Sequence, residues 1–274
     1  MTVLMFGDIV GRPGREGVRA SLPELRKTYH PDFVMANVEN VAHGFGITKA
    51  CIAELKELGV DLCTSGNHIW DRKEEAERIL SEEDPFVLRP ENYDAELPGT
   101  GVKMLERGMW QMLVINLQGQ VFMPQQVNDP FQTLERVRAN VNTSIPIVVD
   151  FHAEATSEKV ALARAFDGRV SAMLGTHTHV PTSDARILRG GTALQCDVGM
   201  CGAYESVIGM DETNVLTRFR TGGTARLEPA AGPVVVNATL LSIDASSGRA
   251  TNIRPIQKIF PEFSVTSKGG DHYE

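Results

Sequence analysis

The chain is poor in the features that would settle its class at once. Its 274 residues include four cysteines, Cys51, Cys63, Cys196 and Cys201, and none forms a C-x-x-C pair. With no such pair and no signal-peptide pattern ahead of them, the cysteines read as reduced core or near-core thiols of a cytosolic protein. No apolar run approaches the roughly 18 residues of a membrane span. No basic segment precedes the first strand-like run, so a soluble, cytoplasmic protein without a membrane partner is expected. Positive charge is also scarce: 27 Lys and Arg stand against 35 Asp and Glu, a formal net charge of −8. That balance argues against a large nucleic-acid surface, although bound cations could make one site locally positive. Repeats, low-complexity tracts and clear linkers are missing too. Gly7, Gly11 and Gly14 are spaced G-x-x-x-G-x-x-G, which is not the dinucleotide fingerprint.

What is present is a repeated pattern. Five short apolar runs each lead into residues that can bind a metal. Val3 to Phe6 leads to Asp8, and Phe33 to Ala36 leads to Glu39 and Asn40. Leu62 to Ser65 leads to Asn67 and His68. Ile147 to Val149 leads to His152, and Ala172 to Leu174 leads to His177 and His179. Short apolar runs read as buried strands, and ligands bind beyond the carboxyl ends of such strands in α/β sheets. A lone strand-end Asp or Asn is more often a turn or cap residue, and a lone His a core residue. The whole set together favours one metal site.

Helical stretches are expected from Arg15 to Tyr29 after a Gly/Pro loop, with Pro23 kinking or restarting the helix. Others follow from Thr48, an N-cap, to Leu58, from Asp71 to Leu80, from Pro130 to Val141 and from Ser157 to Phe166. Strands are expected at Val102–Leu105, Met112–Leu117, Ala185–Leu188, Thr192–Gln195, Val234–Ile243 and Ile253–Ile259, with a hairpin turn at Ser246-Ser247-Gly248. β-rich sections interleaved with strand–helix units suggest an α/β protein of two stacked mixed sheets with helices outside, a four-layer α/β/β/α sandwich. One domain is expected over residues 1–264, followed by a polar tail over 265–274.

The candidate ligands are Asp8, Glu39, Asn40, Asn67, His152, His177 and His179. Carboxylate, amide and imidazole donors suit Mn, Fe or Zn rather than thiolate-seeking ions. Seven candidates exceed one tetrahedral site and suit two ions about 3.5–4 Å apart. In an extended segment His177 and His179 would point the same way, one to each ion, with Thr178 pointing away. Glu39, central in the motif order, is the candidate bridge. Asn40 is either a ligand or a hydrogen-bond partner of that bridge.

Asp8 in Gly7-Asp8, Gly66-Asn67-His68, His152 and Gly175-Thr176-His177-Thr178-His179 resemble the calcineurin-like metallophosphoesterases. Phe6-Gly7-Asp8-Ile9-Val10-Gly11, Glu39-Asn40, Gly66-Asn67-His68-Ile69-Trp70-Asp71 and Asp197-Val198-Gly199-Met200 are closer to the YmdB-like branch. The resemblance spans essentially the whole chain in motif order. Two departures from the wider superfamily fit that branch: Ile9-Val10 replaces the rest of Asp-x-His, and Glu39 replaces the bridging Asp. The resemblance implies a dinuclear, metallophosphoesterase-like site of divalent or trivalent ions, iron foremost, with Mn or Zn as alternatives. It assigns Asp8, Glu39, Asn40 and His179 to one ion and Glu39, Asn67, His152 and His177 to the other. It implies a phosphodiesterase acting on 2′,3′-cyclic nucleoside monophosphates, and a homo-oligomer.

The chemistry expected is attack on phosphorus by hydroxide formed between two cations, with His68 as proton donor to the leaving oxygen. Asp71 could orient His68 if a helix starts there. The competing functions are a phosphomonoesterase or phosphoprotein phosphatase, a mononuclear hydrolase, and a metal-bound regulatory or RNA-associated protein with little turnover. No substrate-binding residue is assigned. His43 is either a pocket residue or an exposed loop histidine, and Arg12 either a phosphate contact or a surface arginine. His30 and His272 are expected at the surface, and the Asp197–Met200 segment as a structural turn beside the site.

Overall fold

A computed structural model describes residues 1–142 and 145–265. Its first three strands are β1 (Thr2–Ile9), β2 (Phe33–Asn37) and β3 (Leu62–Thr64), separated by α1 (Gly11–Tyr29) and α2 (Lys49–Glu57). A 3₁₀ turn over Asn67–Trp70 then leads to α3 (Lys73–Leu80). The middle of the chain supplies β4 (Val102–Arg107), β5 (Trp110–Gln118), α4 (Pro130–Ala139), β6 (Ile147–His152), α5 (Thr156–Ala165) and β7 (Ala172–Thr176). The remainder is β8 (Arg186–Ile187), β9 (Ala193–Gln195), β10 (Met200–Ala203), α6 (Glu212–Thr221), β11 (Gly232–Asp244) and β12 (Arg249–Val265).

These strands form two six-stranded mixed sheets, β12-β11-β10-β1-β2-β3 and β4-β5-β6-β7-β9-β8. Strand alternation sorts the apolar side chains into layers. Val3, Met5, Phe33 and Met35 pack with Val114, Val148, Ala172 and Leu174 between the sheets. Leu4, Phe6, Val34 and Ala36 face the other way, onto Val18 and Leu22 of α1 and Ile52 and Leu55 of α2. Ile115, Val149 and Met173 meet Leu134 of α4 and Leu162 and Ala163 of α5. The result is the expected four-layer α/β/β/α sandwich. Among the described residues no helix is long and apolar enough to cross a membrane.

Several local expectations shift. The Gly/Pro loop after β1 is the first turn of α1, where Pro13 needs no N–H partner. α1 runs on through Pro23, because its apolar face, Val18, Leu22 and Leu25, is anchored in the core. α3 starts at Lys73, since the 3₁₀ turn takes Asn67–Trp70. Thr48 caps α2 through a bond from Cys51 N, and Ser246–Gly248 lies in the turn between β11 and β12. β12 continues to Val265, paired with Gly232, so the expected tail begins no earlier than residue 266; it and His272 lie outside the described residues. His30 is exposed and closes α1 in a left-handed conformation.

Candidate metal centre

The carboxyl ends of β1, β2 and β3 in one sheet and of β6 and β7 in the other meet at a common edge of the sandwich. Asp8 lies in β1 and is fully buried. Glu39 and Asn40 follow β2 and are also buried. Asn67 opens the 3₁₀ turn after β3, and His152 ends β6. His177 and His179 follow β7.

His152 sits at the middle of this set. Its Nε2 lies 3.0 Å from Asn67 Oδ1, 3.1 Å from His177 Nδ1 and 3.2 Å from Glu39 Oε1. Its Nδ1 is 2.9 Å from Thr176 Oγ1, which in turn donates to Asp150 Oδ1 at 2.8 Å. That relay places the ring proton on Nδ1 and leaves the Nε2 lone pair facing the cluster. His177 has its Nε2 3.0 Å from Glu154 Oε2, which leaves Nδ1 for the cluster. His179 Nδ1 donates to Ile208 O at 2.8 Å, which leaves Nε2.

The donor atoms fit cations. Asp8 Oδ1 and Asn40 Oδ1 are buried acceptors without a hydrogen-bond partner, although Asn40 Nδ2 is held by Gly44 O at 3.1 Å. An unpaired buried oxygen costs about 1–3 kcal/mol, and two at one site are the arrangement a bound cation relieves. Glu39, His152 and His177 present ligand atoms within 4.8 Å of one another. Glu39 divides its two oxygens, Oε1 facing His152 Nε2 at 3.2 Å and Oε2 accepting from His68 N at 2.9 Å.

The protonation equilibria carry the same message. Burial raises Asp8 to about 7, against the opposing pull of His179 and His152. Burial would also raise Glu39, but the charge and hydrogen bond of His152 prevail and lower it to about 2. Burial would lower His152, yet Glu39, Asp8 and Asp150 lift it to about 9. Burial and the His152 charge push His177 down to about 3. Without a cation, positive charge is thus drawn onto His152, where these acceptors converge.

His68 lies beside the cluster in the 3₁₀ turn. Its backbone N–H donates to Glu39 Oε2 at 2.9 Å, and its Nδ1 is 2.7 Å from Asp71 Oδ2. The two residues are brought together by the turn itself, as their i, i+3 spacing suggested. Burial would lower the His68 pKa, but the Asp71 hydrogen bond and the Glu39 charge outweigh it and raise it. Its Nε2 remains for a substrate.

One geometric expectation is corrected. The His177–His179 segment is not extended: His177 has φ 106° and His179 φ 66°. Backbone bonds force the turn, because His177 N donates to Asp8 Oδ2 at 3.2 Å and Thr178 N to Asp197 Oδ2 at 3.0 Å. Strained backbone of this kind persists only where its surroundings over-determine it. Asp197 accepts from Gly199 N at 2.8 Å as well and pairs with buried Lys159 at 3.0 Å. The expected structural turn is therefore the anchor of the histidine loop. Arg12 lies within α1, is half-buried and pairs with Glu16 at 3.9 Å.

Sequence reasoning missed Lys159, Asp150, Thr176, Asn37 and Thr64. The last three all donate to the Asp150 carboxylate, and burial raises the Asp150 pKa above the ordinary carboxylate value. A signal existed: Asp150 interrupts an apolar strand two residues before His152, on the same face. Also missed was a chain from Tyr93 through Gln118 to Gln125, which donates to Asn67 O at 3.2 Å.

Two motif glycines are explained by close approach. A Cβ on Gly7 would meet Gly199 O at 1.8 Å, and one on Gly66 would meet His152 Cδ2 at 2.1 Å. Gly66→Ala must therefore displace the His152 ring. Metal content should fall and turnover drop about 10²-fold, the cost of misplacing a reacting group by an ångström. Elemental analysis beside a rate measurement checks this; an alanine variant with full metal and full rate would mean that the ring has room.

Comparison with known proteins gives a consistent result. The family model described as YmdB-like protein matches residues 4–256. A Bacillus subtilis protein named 2′,3′-cyclic-nucleotide 2′-phosphodiesterase is 42% identical over 257 residues, covering 93% of this chain and 96% of that one. A Thermus thermophilus crystal structure of a hypothetical protein superposes with a TM-score of 0.89 at 42% identity, covering 95% of this chain and 100% of the other. A crystal structure described as a novel phosphatase from Mycoplasma pneumoniae superposes with a TM-score of 0.89 at 32% identity, covering 95% and 94%.

Proposed function

Because this chain belongs to the YmdB-like protein family, we propose that it hydrolyses 2′,3′-cyclic nucleoside monophosphates, opening the ring at the 2′ ester. It is a phosphoester hydrolase. The observation that carries the reading is the convergence of Glu39, Asn67 and His177 on His152 Nε2, next to two unpartnered buried oxygens and the His68–Asp71 pair.

Asp8, Glu39, Asn40 and His179 would hold one ion, and Glu39, Asn67, His152 and His177 a second. The donors are nitrogen and oxygen only, which suits Mn, Fe or Zn, and the family resemblance puts iron first among them. When bound, the ions supply Lewis-acid stabilisation of charge on the phosphoryl oxygens and activate a water for in-line attack. The protein's own residues do the rest. Thr176 and Asp150 fix the His152 tautomer, and Asp197 and Lys159 hold the loop that carries His177 and His179. Asp71 takes the Nδ1 proton of His68 as a hydrogen bond and turns Nε2 toward the substrate. As the new P–O bond forms and the bond to the 2′ oxygen breaks, His68 Nε2 gives its proton to that oxygen. The product is a nucleoside 3′-phosphate. The raised pKa of His68 supports its role as an acid near neutrality. The four cysteines are buried free thiols, which suits a reducing compartment, and we place the protein in the cytoplasm.

The test is hydrolysis of 2′,3′-cyclic AMP by the metal-loaded protein beside His68→Ala at matched metal content. Turnover in the parent and a loss of about 10²–10⁴ in the variant are expected. Equal rates would remove His68 from the reaction. No turnover on the cyclic nucleotide, with hydrolysis of nitrophenyl phosphate, would replace the diester reading by a monoesterase.

A further inference from the structure

A cavity of about 560 Å³ opens beside His68. Two residues belong to both places. Asp71 lines the cavity and holds His68 Nδ1, and the Phe45 ring lines it and meets the His68 ring edge-on at 5.0 Å. One wall is the loop that springs from Asn40, where Gly44 N donates to Asn40 O at 3.1 Å. This loop is held in an uncommon conformation, with φ 57° at His43. The opposite wall comes from α6 and the segment after it.

The charge of the cavity is unlike that of the chain. Arg72, Arg218 and Arg226 line it, and Asp71 is the single carboxylate among its lining residues, in a protein of net charge −8. Arg226 is 86% exposed at its side chain and pairs loosely with Glu228 at 3.6 Å. Arg72 donates to Phe45 O at 3.3 Å, which ties the cationic wall to the aromatic one. A nucleoside has no charge for guanidinium groups to meet, whereas planar guanidinium forks match phosphate oxygens. Through Asp71 and Phe45 the cavity borders His68, so a nucleotide whose 2′ oxygen faces His68 has room to extend into it.

We propose that the cavity binds the nucleoside part of the substrate together with a second phosphate on its 5′ side, so that the preferred substrate is a 5′-phosphorylated nucleoside 2′,3′-cyclic phosphate. The proposal rests on the phosphodiesterase reading for its chemistry, and on the cavity for its selectivity. Phe45 offers a ring face to the base, and the arginines of α6 and the following segment hold the second phosphate.

Two readouts on the metal-loaded protein test it. One is kcat/KM for adenosine 2′,3′-cyclic phosphate with and without a 5′-phosphate. The other, which needs no turnover, is calorimetric binding of adenosine 3′,5′-bisphosphate against adenosine 3′-phosphate. The 5′-phosphate should raise both by about 10- to 100-fold, the range of one or two charge-assisted hydrogen bonds. In the exposed double variant Arg218→Ala with Arg226→Ala, both ratios should fall to within about threefold of one. Equal values for the two ligands in the parent, or ratios unchanged in the double variant, overturn the proposal. Turnover on neither nucleotide with the binding ratio intact would overturn the phosphodiesterase reading and support the cavity as a site for the second phosphate.

Discussion

Glu39→Gln is expected to lower turnover at least about 10³-fold, or about 4 kcal/mol of transition-state stabilisation. Glutamine keeps the shape of the side chain and can still accept from His68 N, the 2.9 Å bond that Glu39 Oε2 makes. What it removes is charge. Asp8 and Glu39 are the only carboxylates among the seven candidate ligands, and Glu39 is held ionised, lowered to about 2 by the His152 charge and hydrogen bond against the effect of burial. A neutral amide cannot bridge two cations and balance their charge. With two ions proposed per chain, metal content should therefore drop to one or fewer, in parallel with the rate. Two retained ions and a parental rate in Glu39→Gln would remove Glu39 from the bridging position and pass that role to Asp8.

Lys159→Met should destabilise the fold by about 3–5 kcal/mol, the usual cost of stripping one partner from a buried ion pair. Lys159 and Asp197 are 2% and 1% exposed at their side chains, with Nζ 3.0 Å from Oδ2. Nζ also donates to Thr176 O at 2.9 Å. Methionine fills the volume, so the loss comes from an Asp197 carboxylate left without its cation, not from a cavity. The effect reaches the site, because Asp197 holds Thr178 N between the two loop histidines. Metal affinity should weaken about 10–100-fold, as for other groups that orient a ligand. Urea denaturation and metal titration measure the two effects. Adding Asp197→Asn should restore part of the stability. A loss below about 1 kcal/mol in Lys159→Met would class the pair with solvated surface bridges.

The layered fold and the seven candidate ligands were legible because both are periodic or terminal features. Buried strands such as Val3–Phe6 and Ile147–Val149 announce themselves by composition, and the polar residues that follow them stand out. The 3₁₀ turn that joins His68 to Asp71 was foreshadowed by their spacing. β10 was not legible: Met200-Cys201-Gly202-Ala203 is short and carries no branched residue. It is a strand because β1 and β11 lie on either side of it, a tertiary cause without a local trace. α6 escaped for a similar reason, since Val215 is its only buried residue. The Lys159–Asp197 pair joins residues 38 apart, and no spacing rule brings a helix lysine to that turn. The bent His177–His179 loop was misjudged because its φ values are imposed by Asp8 and Asp197, not by the residues that adopt them.

The order in which the strands are paired bears on how the protein is made. β1 leaves the ribosome before the other strands of the two sheets, yet Asp8 pairs with Met200 of β10 and Phe6 with Ala238 of β11. At about 5–20 residues per second, some 10–40 s separate the synthesis of Asp8 from that of Met200. Throughout that interval β1 can pair with β2 alone, and its other edge stands open, an apolar strand of the kind that seeks unintended partners. The edge that carries the candidate site closes only when the last third of the chain arrives, so the nascent polypeptide is exposed to misassociation for most of its translation.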